Sequence, residues 1–405
     1  MKILHTVESY LPSRHGMQEV VTQLSESLVK MGHDVTIATS YNEHRSTEII
    51  GGVKIVGFKI KGNFVTGITG ETVQYQEFLR SNQFDVITNF AAQQWATDLM
   101  LPILGDLSAK KVFVPTGFSA LNNPAYSTYF ENMKTWIKGY DSNVFLSDNY
   151  RDINFSRKYV NSIQIIPNGA NQKEFQDIEN INIRELIGVS ADTKLILTVG
   201  SHTGYKGHAE AIKIFNQANI SNAVLLIIGN LTSMDGRLKS LLKGILNLFG
   251  IIRSNCSLAC KLGALKHNLL NKKNTVIVKQ LSRAATVNAY KQADVFLFPS
   301  LIECSPIVLF EAMAGSTPFL VTDVGNAKEI INWTNGGKLL PTEIDDKGYS
   351  IVNIGKAAKL LTEFAASSGE MISYGNNGHS AFIDKFTWEK IAGRYEELYL
   401  NLINN

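Results

Sequence analysis

Short apolar runs alternate with amphipathic stretches along nearly the whole chain. "KILHTV" reads as a compact strand, and a loop then runs to Gly16. "MQEVVTQLSESLVKM" places Val20, Val21, Leu24, Leu28 and Met31 on one face of a helix. Gly32 stands where the glycine just past a helix end belongs, and "HDVTIATS" follows as a second strand. Further strands are predicted at "FDVITNF", "KKVFVPTG", "SNVFLS" and "SIQIIPNG". From Asn168 to about Ser190 the pattern lapses into polar, loop-like sequence. It restarts with "TKLILTVG", a helix from His208, "NAVLLIIGN", "NTVIVKQ", "ADVFLFPS" and "TPFLVTD", and "FTWEKIAGRYEELYLNLI" closes the chain as one helix. Strands separated by helical patterns of this length predict parallel βαβ units. The expected architecture is α/β, with Rossmann-like halves at 1–172 and 191–385, a linker at 173–190, and a closing helix at 386–405 that packs back on the first half.

Composition adds limits. A chain of 405 residues exceeds one ordinary core, and 44% hydrophobic with 19% charged residues describes a globular protein. The net charge of +3 gives no reason to expect a nucleic-acid partner. Three cysteines, Cys256, Cys260 and Cys304, fit a reducing compartment without a disulfide framework. Cys256 and Cys260 cannot complete a four-ligand zinc site alone, and only His267 is close in sequence, so they read as incidental thiols. No secretory signal opens "MKILHTVESYLP", and the apolar stretch "LLKGILNLFGII" is too short to span a bilayer. A cytoplasmic chain is expected, with a membrane surface as its only bilayer contact.

Three loop-to-helix junctions carry candidate chemistry. In "FPSLIECSPIVLFEAMAGSTPFLVT", Ser305 and Pro306 predict an N-cap and first turn, which places Glu303 in the loop and Glu311 in the helix. The amides of Ile307 and Val308, in the first turn, have no intrahelical partner and favour an anion. Two carboxylates on one connected segment suit opposite ends of an elongated ligand better than the two sides of a glycosidic bond. In "ILTVGSHTGYKGHAEAIKIF", Lys206 precedes a helix, where a cation opposes the dipole unless an anion lies between. A phosphate could be that anion, although the spacing is not that of a Walker loop. In "ESYLPSRHGMQEVV", Gly16 allows close approach to the backbone. Each junction alone also fits ordinary structure; together they outline a site for a phosphorylated ligand.

These stretches resemble the family 4 retaining glycosyltransferases, which have the GT-B fold of two facing Rossmann-like domains with a cleft between them. Glu303 to Glu311 matches the family's Glu-x7-Glu segment, "TVGSHTGYKG" its phosphate-binding loop, "IIPNGANQKEF" its Pro-Asn-Gly stretch, and "PSRHGMQEVV" its glycine loop. The resemblance implies transfer of a hexose-type sugar from a UDP- or GDP-sugar to an acceptor hydroxyl, with retention and without metal or other cofactor. It implies catalytic roles for Glu303, beside the sugar ring, and Lys206, at the departing diphosphate. Gly16, Ser201, Lys206, Ser305, Pro306, Ile307, Val308 and Glu311 would contact the donor, Glu311 through the ribose hydroxyls. Three departures stand out. His15 replaces the first glycine of the N-terminal loop, Ser201 replaces the usual arginine, and "FVPTGFSALNNP" offers no match for the family's histidine near the sugar. A nucleotide-sugar-binding protein without turnover, or an epimerase or hydrolase on the same fold, also fits the residues.

One stretch lies outside these motifs. Residues 236–273 hold eight of the chain's 39 Lys and Arg, no acid, and interleaved leucines and isoleucines. That composition fits either a basic surface helix whose apolar side covers its own domain or a helix at an anionic membrane interface; the second, with the resemblance, implies a lipid-linked glycan acceptor in polysaccharide or lipopolysaccharide assembly.

Overall fold

The computed structural model describes residues 1–12, 16–177, 179–230, 255–271 and 273–404. They form two compact units, Met1–Gly169 with Trp388–Asn405, and Ala170–Thr387. The first unit contains β1 (Lys2–Thr6), β2 (Asp34–Ser40), β3 (Ile49–Ile50), β4 (Val53–Phe58), β5 (Ile60–Asn63), β6 (Gly67–Gly70), β7 (Val86–Phe90), β8 (Lys110–Val114), β9 (Ser142–Phe145) and β10 (Ile163–Ile165). Eight of them form a sheet in the order β10-β9-β8-β7-β1-β2-β4-β3, while β5 and β6 form a hairpin. All neighbours in the large sheet are parallel except β3 and β4. Every residue of β7 is buried, as a parallel strand covered on both faces requires.

The Gly16–Lys30 helix buries Val20, Val21, Leu24 and Leu28. Met31 does not complete that stripe. The helix ends at Lys30, Gly32 turns at φ +91°, and Met31 is left 39% exposed. The closing helix, Trp388–Asn404, belongs to this unit. The hydroxyl of Tyr399 shares hydrogen bonds with Thr88 Oγ1 at 2.7 Å and His5 Nε2 at 3.3 Å, so the last helix is tied to β7 and β1 at buried polar atoms. Glu396 adds a contact to His33 at 2.8 Å.

The second unit is built on β11 (Lys194–Val199), β12 (Ala223–Ile228), β13 (Asn274–Lys279), β14 (Val295–Phe298), β15 (Phe319–Val321) and β16 (Gly337–Leu339), with a small hairpin of β17 (Thr342–Ile344) and β18 (Ser350–Val352). The six strands lie in the order β13-β12-β11-β14-β15-β16, all parallel. This is the doubly wound order 3-2-1-4-5-6, whose direction of winding reverses between β11 and β14. Two short helices, Gln172–Gln176 and Ile183–Ile187, bury Phe175, Ile183 and Ile187 in this unit's core. The helices that bear on the candidate residues are His208–Gln217, Ser257–Leu270, Arg283–Gln292 and Ile307–Ala314.

Candidate functional site

In a doubly wound sheet the ligand crevice opens at the carboxyl ends of the strands where the winding reverses. In the second unit those ends feed two loops, 200–207 after β11 and 299–306 after β14. They carry Lys206 and Glu303. Their close packing follows from Gly207, whose φ is +71°; a Cβ there would meet the carbonyl oxygen of Pro299 at 1.9 Å. Leu301 N donates to Tyr205 O at 2.9 Å, and Ser300 Oγ lies 3.0 Å from the same oxygen. The Lys206 ammonium then reaches both carboxylate oxygens of Glu303, at 2.7 and 2.9 Å, and Ser300 Oγ donates to Oε1 at 2.8 Å. The anion that a lysine at this helix start requires is therefore a side chain of the protein. The lysine remains 29% exposed and its carboxylate partner 11%.

The loop after β14 leads into the Ile307–Ala314 helix, with Pro306 as its N-cap at ψ 107°. Ser305 was expected at that position. The extended ψ of Pro306 starts the helix one residue later, and Ser305 Oγ instead accepts from Asn326 Nδ2 at 3.1 Å. Ile307 and Val308 occupy the first turn, so their amides lack intrahelical acceptors. Glu311 lies deeper in the same helix and is buried. Its Oε1 meets Arg283 Nη1 at 2.5 Å, while Arg283 also reaches Glu174 Oε2 at 2.7 and 3.2 Å. Burial alone would lower the pKa of Arg283; Glu311 and Glu174 outweigh it and hold the guanidinium charged well above its ordinary range.

Of the expected donor contacts, the fold pairs Lys206 with Glu303 and sets Ser305, Pro306, Ile307 and Val308 at one helix start. Glu311 stands in a separate pairing with Arg283. Ser201 is exposed, and Gly16, in the other unit, is the first residue of its helix rather than the residue before it. His15 lies outside the described residues. Arg283 and Ser300 escaped the sequence reading. Arg283 follows the N-cap Ser282 and so is a cation at a helix start, the signal that singled out Lys206.

The first unit has its own reversal point between β1 and β7. Glu8 N donates to Gln94 Oε1 at 2.8 Å across the two loops there. Asp98 accepts from Phe64 N at 2.9 Å and the Tyr129 hydroxyl at 2.8 Å, yet burial pushes its pKa up to about 6. Beyond β8, Thr116, Gly117 and Phe118 all have positive φ, and Gly117 N donates to buried Asp152 at 2.7 Å.

The cysteines that read as incidental belong, in the structure, to a further cluster. His202 and His208, which flank Lys206, meet Cys256 and Cys260, and one donor atom from each lies within 4.8 Å of the others. His267 turns away to Asn216 at 2.5 Å. Both pairs had legible spacings, Cys-x3-Cys and His-x5-His, each within the usual range for zinc ligands. Their long separation hid the match.

Residues 180–350, which contain Lys206, Arg283, Glu303 and Glu311, match the family model of the glycosyl transferases group 1. An uncharacterized glycosyltransferase of Methanocaldococcus jannaschii is 26% identical over 98% of both chains. A lipopolysaccharide 1,2-N-acetylglucosaminetransferase of Salmonella typhimurium is 22% identical over 59% of this chain and 57% of its own. The structure of Anabaena HepE in complex with UDP and glucose superposes with a TM-score of 0.71 at 13% identity, covering 99% of this chain and all of that one.

Proposed function

From the group 1 match over residues 180–350 and the GT-B fold, we propose that this chain is a glycosyltransferase that moves a hexose-type sugar from a nucleoside diphosphate sugar to an acceptor hydroxyl with retention of configuration. The observation that carries the reading is the Lys206–Glu303 pair, held at the reversal point of the second sheet beside the first-turn amides of a helix start. An ammonium has three protons; two point to Glu303, and the third serves the departing diphosphate together with the amides of Ile307 and Val308. Glu303 lies beside the sugar ring, and Arg283 presents Glu311 to the ribose hydroxyls. In the step itself, the bond from the anomeric carbon to the phosphate oxygen breaks. The acceptor oxygen bonds to the same face, and its proton passes to the leaving phosphate. No protein nucleophile and no metal takes part in this chemistry. UDP-sugars are the first donors to try, since the superposed Anabaena protein holds UDP.

The acceptor in this reading is a lipid-linked glycan of polysaccharide or lipopolysaccharide assembly, met at the inner face of the membrane. Residues 236–254 and 272 of the basic stretch lie outside the described residues. Its described part, the Ser257–Leu270 helix, exposes Leu262, Leu265, Leu269 and Leu270 together with Lys261 and Lys266. Among the described residues, no helix is long and apolar enough to cross a membrane.

The test is release of nucleoside diphosphate from UDP- and GDP-sugars, with and without a membrane-glycan extract. Acceptor-dependent release that Lys206→Ala lowers by about two orders of magnitude is expected. Release that is independent of acceptor would make the protein a hydrolase, and near-normal rates in Lys206→Ala would place the diphosphate elsewhere.

A further inference from the structure

His202 and His208 are buried, at 0% and 1% exposure, and so are Cys256 at 5% and Cys260 at 1%. The two Nδ1 atoms face each other at 3.1 Å, and Cys256 Sγ lies 3.4 and 3.7 Å from them. A tetrahedral zinc ion with bonds of about 2.0 Å to nitrogen and about 2.3 Å to sulfur separates its ligands by roughly 3.3 to 3.8 Å. The three separations in the cluster fall close to those edges. No local motif explains the meeting: the histidines come from the loop after β11 and the start of the following helix, the cysteines from the start of the Ser257–Leu270 helix. The Nε2 atoms of both histidines have no hydrogen-bond partner among the described residues, so among those residues the rings meet polar atoms through Nδ1, inside the cluster. Without an ion, four buried donors are left to satisfy one another in part, which is costly.

We propose that His202, His208, Cys256 and Cys260 bind one zinc ion that fixes the Lys206 loop to the Ser257–Leu270 helix. Two thiolates balance the charge of Zn²⁺, so the buried complex is neutral; binding releases the two thiol protons to solvent. Four protein ligands in a closed, buried set leave no open position, so the ion is structural and does not act on substrate. Its effect falls on geometry. The two histidine ligands bracket residues 203–207, and Cys256 N already donates to His202 O at 3.1 Å, so the ion clamps both ends of the loop that aims Lys206 at Glu303. The proposal rests on the cluster and not on the assignment of a glycosyl donor.

The experiment uses the full chain, purified under reducing conditions without added chelator. Elemental analysis should find one zinc per chain. The stripped protein should take up one Co²⁺ with the visible absorption of a tetrahedral thiolate site, and Cys260→Ser and His208→Ala should lose most of the bound metal. Hydrogen exchange across residues 200–208 should quicken when the wild-type ion is removed and slow again on reloading with Zn²⁺. Neither zinc in the purified protein nor stoichiometric Co²⁺ uptake by the stripped wild type, or a Cys256–Cys260 disulfide in their place, would overturn the site. Unchanged exchange at 200–208 would overturn the clamp.

Discussion

Gly207 shows how much one residue can decide. Its positive φ and the 1.9 Å approach of a hypothetical Cβ to Pro299 O leave no room for a side chain. Gly207→Ala should therefore lower the melting temperature through a cost of about 1–3 kcal/mol, and should weaken nucleotide binding by moving Lys206. An unchanged melting temperature would show that the loop relaxes freely. Arg283 is a second such residue. Arg283→Met leaves Glu311 and Glu174 without their shared cation, so the variant should lose UDP affinity about as far as Glu311→Ala does. Isothermal titration checks this, and normal affinity in Arg283→Met would detach Glu311 from its proposed partner. Asp98 permits a pH test with a definite sign. Its carboxyl keeps a proton up to about pH 6 in the folded chain, whereas it loses it near the ordinary 3.8 when unfolded. Its stabilising contribution is present at low pH and is lost as pH rises through 6. Asp98→Asn lacks that dependence, so its deficit against wild type should be largest near pH 4 and shrink toward pH 7 by up to about 3 kcal/mol. Paired denaturation curves across that range measure it; a constant gap would contradict the raised pKa.

Among the elements, the closing helix is held by its polar contacts as well as its apolar face. The Tyr399 hydroxyl joins Thr88 and His5, all three buried. Tyr399→Phe keeps the ring but leaves those partners unsatisfied, and should cost about 1–3 kcal/mol, read as a lower melting temperature of the first unit. A neutral result would assign the docking to apolar contact alone. The Ile307–Ala314 helix teaches a different lesson. The Ser-Pro signal located its start to within one residue, because proline fixes φ and excludes an earlier turn, but ψ at Pro306 was free to be extended.

For the whole molecule, the outer face of the Ser257–Leu270 helix is the described surface on which membrane contact would depend. Reversing charge there with Lys261→Glu and Lys266→Glu leaves the buried Cys260, Ala264 and His267 untouched. If the protein meets an anionic leaflet through this face, its sedimentation with anionic vesicles should fall in the double variant and with added salt, each cation near the surface contributing about 1 kcal/mol. Equal sedimentation of variant and wild type would leave the helix as ordinary protein surface.

The strands β3 to β6 and β16 to β18 were not legible in the sequence, which by itself determined the other eleven described strands, their alternation with helices, the loops that hold Lys206 and Glu303, and the helix that holds Glu311. Those features depend on local causes: apolar period, glycine beyond helix ends, proline at helix starts. The tertiary structure decided the partners. Lys206 meets Glu303 across 97 residues of chain, Arg283 bridges Glu174 and Glu311, and the His202–His208 pair meets the cysteines 48 residues and more downstream. No local period encodes such meetings. They arise because β11 and β14 are neighbours in a parallel sheet and because helices packed against it bring distant chain ends to one place. Spacing can nominate a charged or ligating residue, but what it faces is set by strand order.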